Sequence, residues 1–322
     1  MTIAGPVKLR RRKRARLDLK LSECGLYALA SPAHLAGILS TPGCKFSVEE
    51  LQGLSRDEGN FRLFDLVSDG GKARRIEWPK RRLQQVQRRI HVLLSRVEVP
   101  DYLHSAVRGK SYLTNAAVHS AEMPTVKLDV KKFFVSVPRV AVFNFFATTM
   151  KCRPDVAGLL SDLLTFDAHL PTGGAASPIM AYYAFKSLFD EIYAFASSQN
   201  VTMTCYVDDM TFSGGAVGKR FLYEVRRIVA RHGLKSHKSR MFDARQPKVV
   251  TGVCNTTDGA RVPNKLHAKI KDGFDKLSKA DGSAQKAKIL PPLLGRLEAA
   301  GQIDPRFKAR AVTLRAAHQS GR

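Results

Sequence analysis

The chain has 322 residues, 44% hydrophobic and 25% charged, a composition that supports a folded core rather than disorder. Its 53 Lys and Arg against 28 Asp and Glu leave a net charge of +25, an excess that self-repels without a polyanionic partner and so points to nucleic acid. No apolar run approaches the roughly 20 residues of a spanning helix, no apolar segment follows the basic start, and the five cysteines form no C-x-x-C pair. A membrane protein, a zinc-ribbon and a disulfide scaffold are therefore disfavoured, and a cytoplasmic protein with reduced thiols is expected.

Lys8 to Arg16 places seven basic residues in nine positions, an arm suited to phosphate contact, although a solvated tail has the same composition. Residues from about 24 to 56 read as helical, with Ser31-Pro32 and Ser47-Val48-Glu49-Glu50 as helix starts. Phe61 to Val67 and Lys72 to Pro79 alternate apolar and polar residues around Ser68-Asp69-Gly70-Gly71, the pattern of a β-hairpin. Its second strand carries Lys72, Arg74 and Arg75, placed to reach over a phosphate-bearing ligand or simply to line an exposed edge. Leu83, Val86, Gln87, Ile90, Leu93 and Leu94 then recur at helical spacing, so the stripe is core, while the interleaved Arg81, Arg82, Arg88 and Arg89 face either a polynucleotide or water.

From Pro124, Val126, Leu128 and Val130 alternate with Lys127 and Asp129, as on a strand closed by one carboxylate. Pro138 opens a helix through Phe146, and Arg153 to Leu164 reads as another. Leu170-Pro171-Thr172-Gly173-Gly174-Ala175-Ala176-Ser177-Pro178 is a Gly-rich turn into an apolar helix spanning Ile179 to Phe195.

Cys205-Tyr206-Val207-Asp208-Asp209-Met210-Thr211-Phe212-Ser213 reads as strand, tight turn and strand, with two adjacent acids at the turn. By itself that is an ordinary polar hairpin tip. With Asp129 as a third carboxylate it becomes a candidate two-metal cluster, because acids held together repel unless a hard dication stands between them. Beyond it, Phe221 to His232 reads as an amphipathic helix, Val249 to Val253 as a strand and Asp258-Gly259 as a turn. From about Pro263 the chain is basic and helical, with a break at Pro291-Pro292 and a disordered-looking end.

An Asp after a strand, a Gly-rich helix entry, an Asp pair in a hairpin and a basic helical tail, in that order, resemble the reverse transcriptases. The matching motifs are Val126-Lys127-Leu128-Asp129 with Phe133-Phe134, Leu170-Pro171 through Ser177-Pro178, and Tyr206-Val207-Asp208-Asp209. Asn115-Ala116-Ala117-Val118-His119 and Val250-Thr251-Gly252 resemble the retron type in particular, and the likeness runs from about Phe61 to Phe307.

The resemblance implies an α/β (α+β) fold, a right-hand polymerase with fingers, palm and thumb. The expected divisions are a basic arm over 1–22, N-terminal helices and fingers over 23–125, a palm over 126–255 with a fingers insertion near 152–170, and a basic helical thumb and tail over 256–322.

It implies RNA-directed DNA synthesis, with Asp129, Asp208 and Asp209 catalytic and, together with Val130, holding two Mg²⁺ ions. Lys72, Arg74, Arg75, Lys132, Phe133, Phe134, Thr172 and Gly173 would face the incoming dNTP, Phe134 as the gate against a ribose 2′-hydroxyl. Arg11, Arg12, Arg14, Asn115, His119, Lys265 and Lys269 would face RNA, although a buried structural role is equally open to His119. The partners implied are a structured non-coding RNA serving as template and 2′-hydroxyl primer, its branched DNA product, and an effector protein in antiphage defence, with no membrane.

The sequence departs from the family at Thr172, where Gln is frequent, and at Gly173-Gly174-Ala175, where Gly-Ala-Pro is usual. His237 and Arg240, with Lys238 between them, stand where an Asn and a proton-donating Lys are expected, and an Arg gives up its proton poorly. The alternatives are a group II intron-like or defence-associated reverse transcriptase, an RNA-templated RNA polymerase, which Phe134 disfavours, and an RNA-binding scaffold that restrains a toxin.

Overall fold

An amphipathic helix needs a partner for its stripe, and an alternating strand needs a layer on its apolar side. The structure, a computed structural model, describes residues 18–67, 71 and 73–319. Helices α1 (Pro32–Leu39) and α2 (Val48–Arg56) begin where the Ser31 and Ser47 hydroxyls accept from the N–H groups of His34 and Glu50. Strands β1 (Phe61–Val67) and β2 (Ala73–Pro79) form the expected antiparallel hairpin. Helix α3 (Arg81–Leu94) buries the whole predicted stripe. Two of its arginines turn inward: Arg82 lies 4.4 Å from the Phe46 ring centroid and bonds Glu50, and Arg89 donates to the Ile38 carbonyl. Arg81 and Arg88 are exposed.

Next come α4 (Tyr112–Ala117), β3 (Thr125–Val130) and α5 (Arg139–Asn144), which runs into a π turn over Phe145–Thr149. Helix α6 (Pro154–Leu164) follows. The helix expected over 179–195 is two, α7 (Ser177–Ala184) and α8 (Lys186–Ser198), broken at Phe185, whose ring turns to pack 6.2 Å from that of Phe133. Strands β4 (Thr202–Tyr206) and β5 (Asp209–Ser213), helix α9 (Lys219–Arg231) and β6 (Ser236–Phe242) complete a four-stranded antiparallel sheet in the order β4-β5-β3-β6.

Alternation divides this sheet. Val126, Leu128, Val130, Met203, Cys205, Met210 and Phe212 are buried on the side covered by α8 and α9, where the Phe212 ring meets Phe221 edge-on at 5.3 Å. Each such side chain contributes about 2 kcal/mol of burial. Thr125, Lys127, Asp129, Thr204, Asp209, Thr211 and Ser213 take the opposite face.

The strand expected over 249–253 is a hairpin instead. Thr251 and Gly252, at φ +42° and +90°, turn β7 (Lys248–Val250) into β8 (Val253–Thr256), which pairs with β9 (Gly259–Arg261). Helices α10 (Asn264–Ser278), α11 (Ser283–Gly301) and α12 (Pro305–Gln319) close the fold around a core of their own, built from Ile270, Leu277, Leu293, Leu297 and Phe307.

Two further expectations are corrected there. α11 continues through Pro291 and Pro292, because both lie on its solvent side, where water can satisfy the carbonyls they release, while Leu293 and Leu297 anchor the core side. The end that looked disordered is helical to Gln319. The class is thus mixed helix and antiparallel sheet, as expected. Among the described residues no helix is long and apolar enough to cross a membrane, and the cysteines are free thiols.

Candidate active site

The register of the central sheet sets Asp129 on β3 directly opposite Asp209 on β5, and Tyr206 pairs with Asp209 across a two-residue turn. Val207 in that turn has φ +62°, a region that a β-branched residue avoids. Its N–H is held by the Ser105 hydroxyl at 2.9 Å, and the Asp208 carbonyl accepts from Val130 N–H at 3.0 Å. The turn is therefore pinned on both sides, and three carboxylates meet at one end of the polar face of the sheet.

Each acid has a nitrogen-bearing side chain beside it, and the three come from three strands. Burial, then the charges of Asp129 and Asp209, push the Asp208 carboxyl up to about 6, opposed by Arg74 on β2. Burial also raises Asp209, opposed by Lys127, whose Nζ stands 2.8 Å from its Oδ2. His237 Nδ1 on β6 lies 2.9 Å from Asp129 Oδ1 but off the angle of a hydrogen bond. Among the described residues, no three His, Cys, Asp or Glu side chains converge closely enough to hold a metal ion. Asp129 and Asp208 nevertheless suit one: hard oxygen donors whose like charges crowd a half-buried turn are what a divalent cation relieves.

Of the residues expected to face a nucleotide, Arg74 is close enough to act on Asp208, whereas Lys72 lies outside the described residues. The carbonyl of Arg75 accepts from Thr172 Oγ1 at 3.1 Å, and the same hydroxyl accepts from Glu77 N–H at 3.1 Å. The buried Glu77 carboxylate takes the Thr172 N–H at 3.1 Å and stands 3.2 Å from His169 Nε2, while Gly173 N–H donates to the Glu77 carbonyl. A Cβ on Gly173 would come 2.8 Å from that carbonyl oxygen. Thr172, a departure noted in the sequence, and the neighbouring Gly173 thus clamp the hairpin to the Gly-rich turn. Phe134 is half-buried and stacks on the buried Phe133 at 6.2 Å, beside the exposed Lys132 at φ +50°.

Asn115 and His119 are corrected as RNA-facing candidates, because both side chains are buried. Asn115 donates to Thr251 Oγ1, so the two retron-like stretches touch each other. His119 bridges β4 and β5, its ring nitrogens 2.8 Å from Ser213 Oγ and 2.7 Å from Thr204 Oγ1, and burial pushes it down to about 3. Lys265 is exposed and Lys269 half-exposed on α10. Arg11, Arg12 and Arg14 lie outside the described residues. Of the trio His237, Lys238 and Arg240, His237 stands at the acids, while the Arg240 guanidinium stacks over Phe242 at 5.0 Å.

Sequence reasoning missed Lys127, although period two puts it on the face of Asp129. It also missed Glu77 and the buried Lys248, whose Nζ donates to the carbonyls of Ala121 and Met123 ahead of β3; no local pattern marks either.

Residues 68–252, which span β2, the Gly-rich turn and all three acids, match the family Reverse transcriptase (RNA-dependent DNA polymerase). The chain belongs to the reverse transcriptase family. Its relatives place it with the retron type. Retron Se72 reverse transcriptase of Salmonella heidelberg (strain 579083-10) is 32% identical over 143 residues, 44% of this chain and 38% of that protein. Retron Mx65 reverse transcriptase of Myxococcus xanthus is 31% identical over 267 residues, 72% of this chain and 62% of that protein. The chain thus spans less than two thirds of the length of these relatives. A foamy viral protease-reverse transcriptase solved in complex with double-stranded DNA aligns over 81% of this chain and 39% of that chain, at 17% identity and a TM-score of 0.48.

Proposed function

We propose that this reverse transcriptase synthesises DNA on an RNA template, in the retron manner. The observation that carries the reading is the pinned turn that crowds Asp208 against Asp129 beneath the arginine-bearing hairpin. Asp129 and Asp208, with the Val130 carbonyl and with Asp209 alongside, would hold two Mg²⁺ ions, which when bound activate a primer hydroxyl toward the α-phosphate of a dNTP and steady the leaving pyrophosphate.

The rest is work for the side chains of this chain. Arg74 and Arg75, with Lys72 and Lys132, neutralise the triphosphate, and the Thr172 and Gly173 clamp fixes the height of the hairpin above the acids. The Phe134 ring, braced by Phe133, excludes a ribose 2′-hydroxyl. The 53 Lys and Arg, among them Arg11, Arg12, Arg14, Lys265 and Lys269, suit a folded RNA recognised by shape and phosphates. Retron kinship extends the proposal to a dedicated non-coding RNA, priming from an RNA 2′-hydroxyl, a branched RNA–DNA product, and antiphage defence with an effector protein.

The test is primer extension on RNA templates with dNTPs or NTPs and a divalent ion, followed by isolation of RNA-linked single-stranded DNA from cells. Asp208→Asn should lower DNA synthesis by at least about a hundredfold with RNA affinity unchanged. Near-normal synthesis by that variant, or a preference for NTPs, would remove the assignment.

A further inference from the structure

We infer that Lys127 is a positioning residue of the acid cluster: its ammonium is the built-in counter-ion of Asp209, which leaves Asp129 and Asp208 as the two acids open to a metal ion. This rests on the polymerase reading above and deepens it.

Lys127 and Asp129 are two residues apart on β3, hence on one face, and they are the two β3 side chains that are only partly buried. Asp129 pairs directly with Asp209, so Lys127 lies on the diagonal to Asp209, within the span of a lysine side chain. The contact is made, with Nζ 2.8 Å from Oδ2 and the two side chains 20% and 25% exposed, so water screens the pair only in part. The direct cross-strand neighbours of Lys127 are Thr211 and Arg240, neither of them an acid.

The other two acids have neighbours of a different kind. Arg74 acts on Asp208 from the hairpin, and His237 faces Asp129 without a hydrogen bond. Only Lys127 reaches its acid within the β3–β5 ladder, and because Asp209 is the first residue of β5, the pair also ties the far side of the turn to β3. An ion entering the site meets Asp129 and Asp208 and would have to displace Lys127 to reach Asp209.

Mn²⁺ titration of the whole protein, followed by electron paramagnetic resonance, tests this, with thermal melting to confirm folding. Asp129→Asn and Asp208→Asn should each weaken Mn²⁺ binding at least about tenfold. Asp209→Asn should change it by less than about threefold. Lys127→Met frees the acid and should tighten Mn²⁺ binding about threefold or more, a gain that disappears in the double variant Lys127→Met/Asp209→Asn. A lysine with a merely structural role gives no tightening. In primer extension Lys127→Met should lower kcat more than it raises the KM for dNTP. Weakening by Asp209→Asn equal to that of Asp208→Asn, or no tightening in Lys127→Met, overturns the inference while leaving the polymerase reading intact. If Asp129→Asn and Asp208→Asn also leave Mn²⁺ binding unchanged, the polymerase reading falls as well. Should Lys127→Met not fold, the near-isosteric Asp209→Asn decides alone.

Discussion

His119 carries a stability that depends on pH. Its ring is buried and bonded to two hydroxyls, and its pKa falls from 6.5 to about 3, burial being the largest cause. The unfolded chain therefore takes up a proton that the folded chain refuses, so stability is fully present above pH 6.5 and declines as pH falls toward 3. The slope is about 1.4 kcal/mol per pH unit from this one group. Urea unfolding at pH 7 and pH 5 should show this decline in the wild type and a flatter profile in His119→Gln, which starts less stable; parallel profiles would remove the assignment. Phe134 makes a different claim. Its ring is braced by Phe133 but is itself only half-buried, so truncation should cost little stability and should raise ribonucleotide relative to deoxynucleotide incorporation about tenfold or more. An unchanged ratio would return Phe134 to plain packing.

The hairpin of β1 and β2 projects with Leu63, Phe64, Leu66, Val67 and Trp78 exposed, so little apolar burial holds it. Its base is fixed by the Phe61 ring, 4.7 Å from that of Phe166, and by polar contacts, in which Glu77, Thr172, His169 and Gly173 exchange hydrogen bonds between the hairpin and the Gly-rich turn. Gly173→Ala places a Cβ against backbone that cannot yield as a side-chain tip would. We expect a loss of about 1–3 kcal/mol in thermal or urea unfolding and a raised KM for dNTP, because Arg74 and Arg75 shift with the hairpin. A neutral Gly173→Ala would show that the hairpin base moves freely. α11 teaches a related lesson, since its paired prolines are tolerated on the solvent side of a helix whose other side is packed.

Over the whole molecule, charge is the largest departure from an ordinary protein. If the proposed RNA partner is right, a net +25 predicts that phosphate contacts dominate the affinity. The affinity should fall log-linearly with salt, by about a thousandfold or more between 50 and 200 mM if six or more phosphates are engaged. A flat salt response would show that recognition is not electrostatic. The three C-terminal helices have their own core, and Tyr112 links them to α4 through its hydroxyl, 3.1 Å from Gln302 Oε1, beside the retron-like stretch.

The order and spacing of Asp129, Asp208 and Asp209 are written in the sequence, and so are the alternating strands that carry them, because period two reports which neighbours share a face. The buried stripe of α3 and the serine starts of α1 and α2 are legible for the same reason: each is decided within a few residues. Which side chain stands by which acid is not local. Lys127, Arg74 and His237 are assigned by the register of β3 with β5 and β6 and by the position of a hairpin more than fifty residues upstream. The burial of Asn115 and His119 likewise follows from β7, β8 and the sheet closing around α4, contacts between segments far apart in the chain. Sequence by itself determined the three acids and the strands beneath them; the tertiary structure alone decided how their charges are balanced, since a counter-ion is chosen by distance in space and not by distance along the chain.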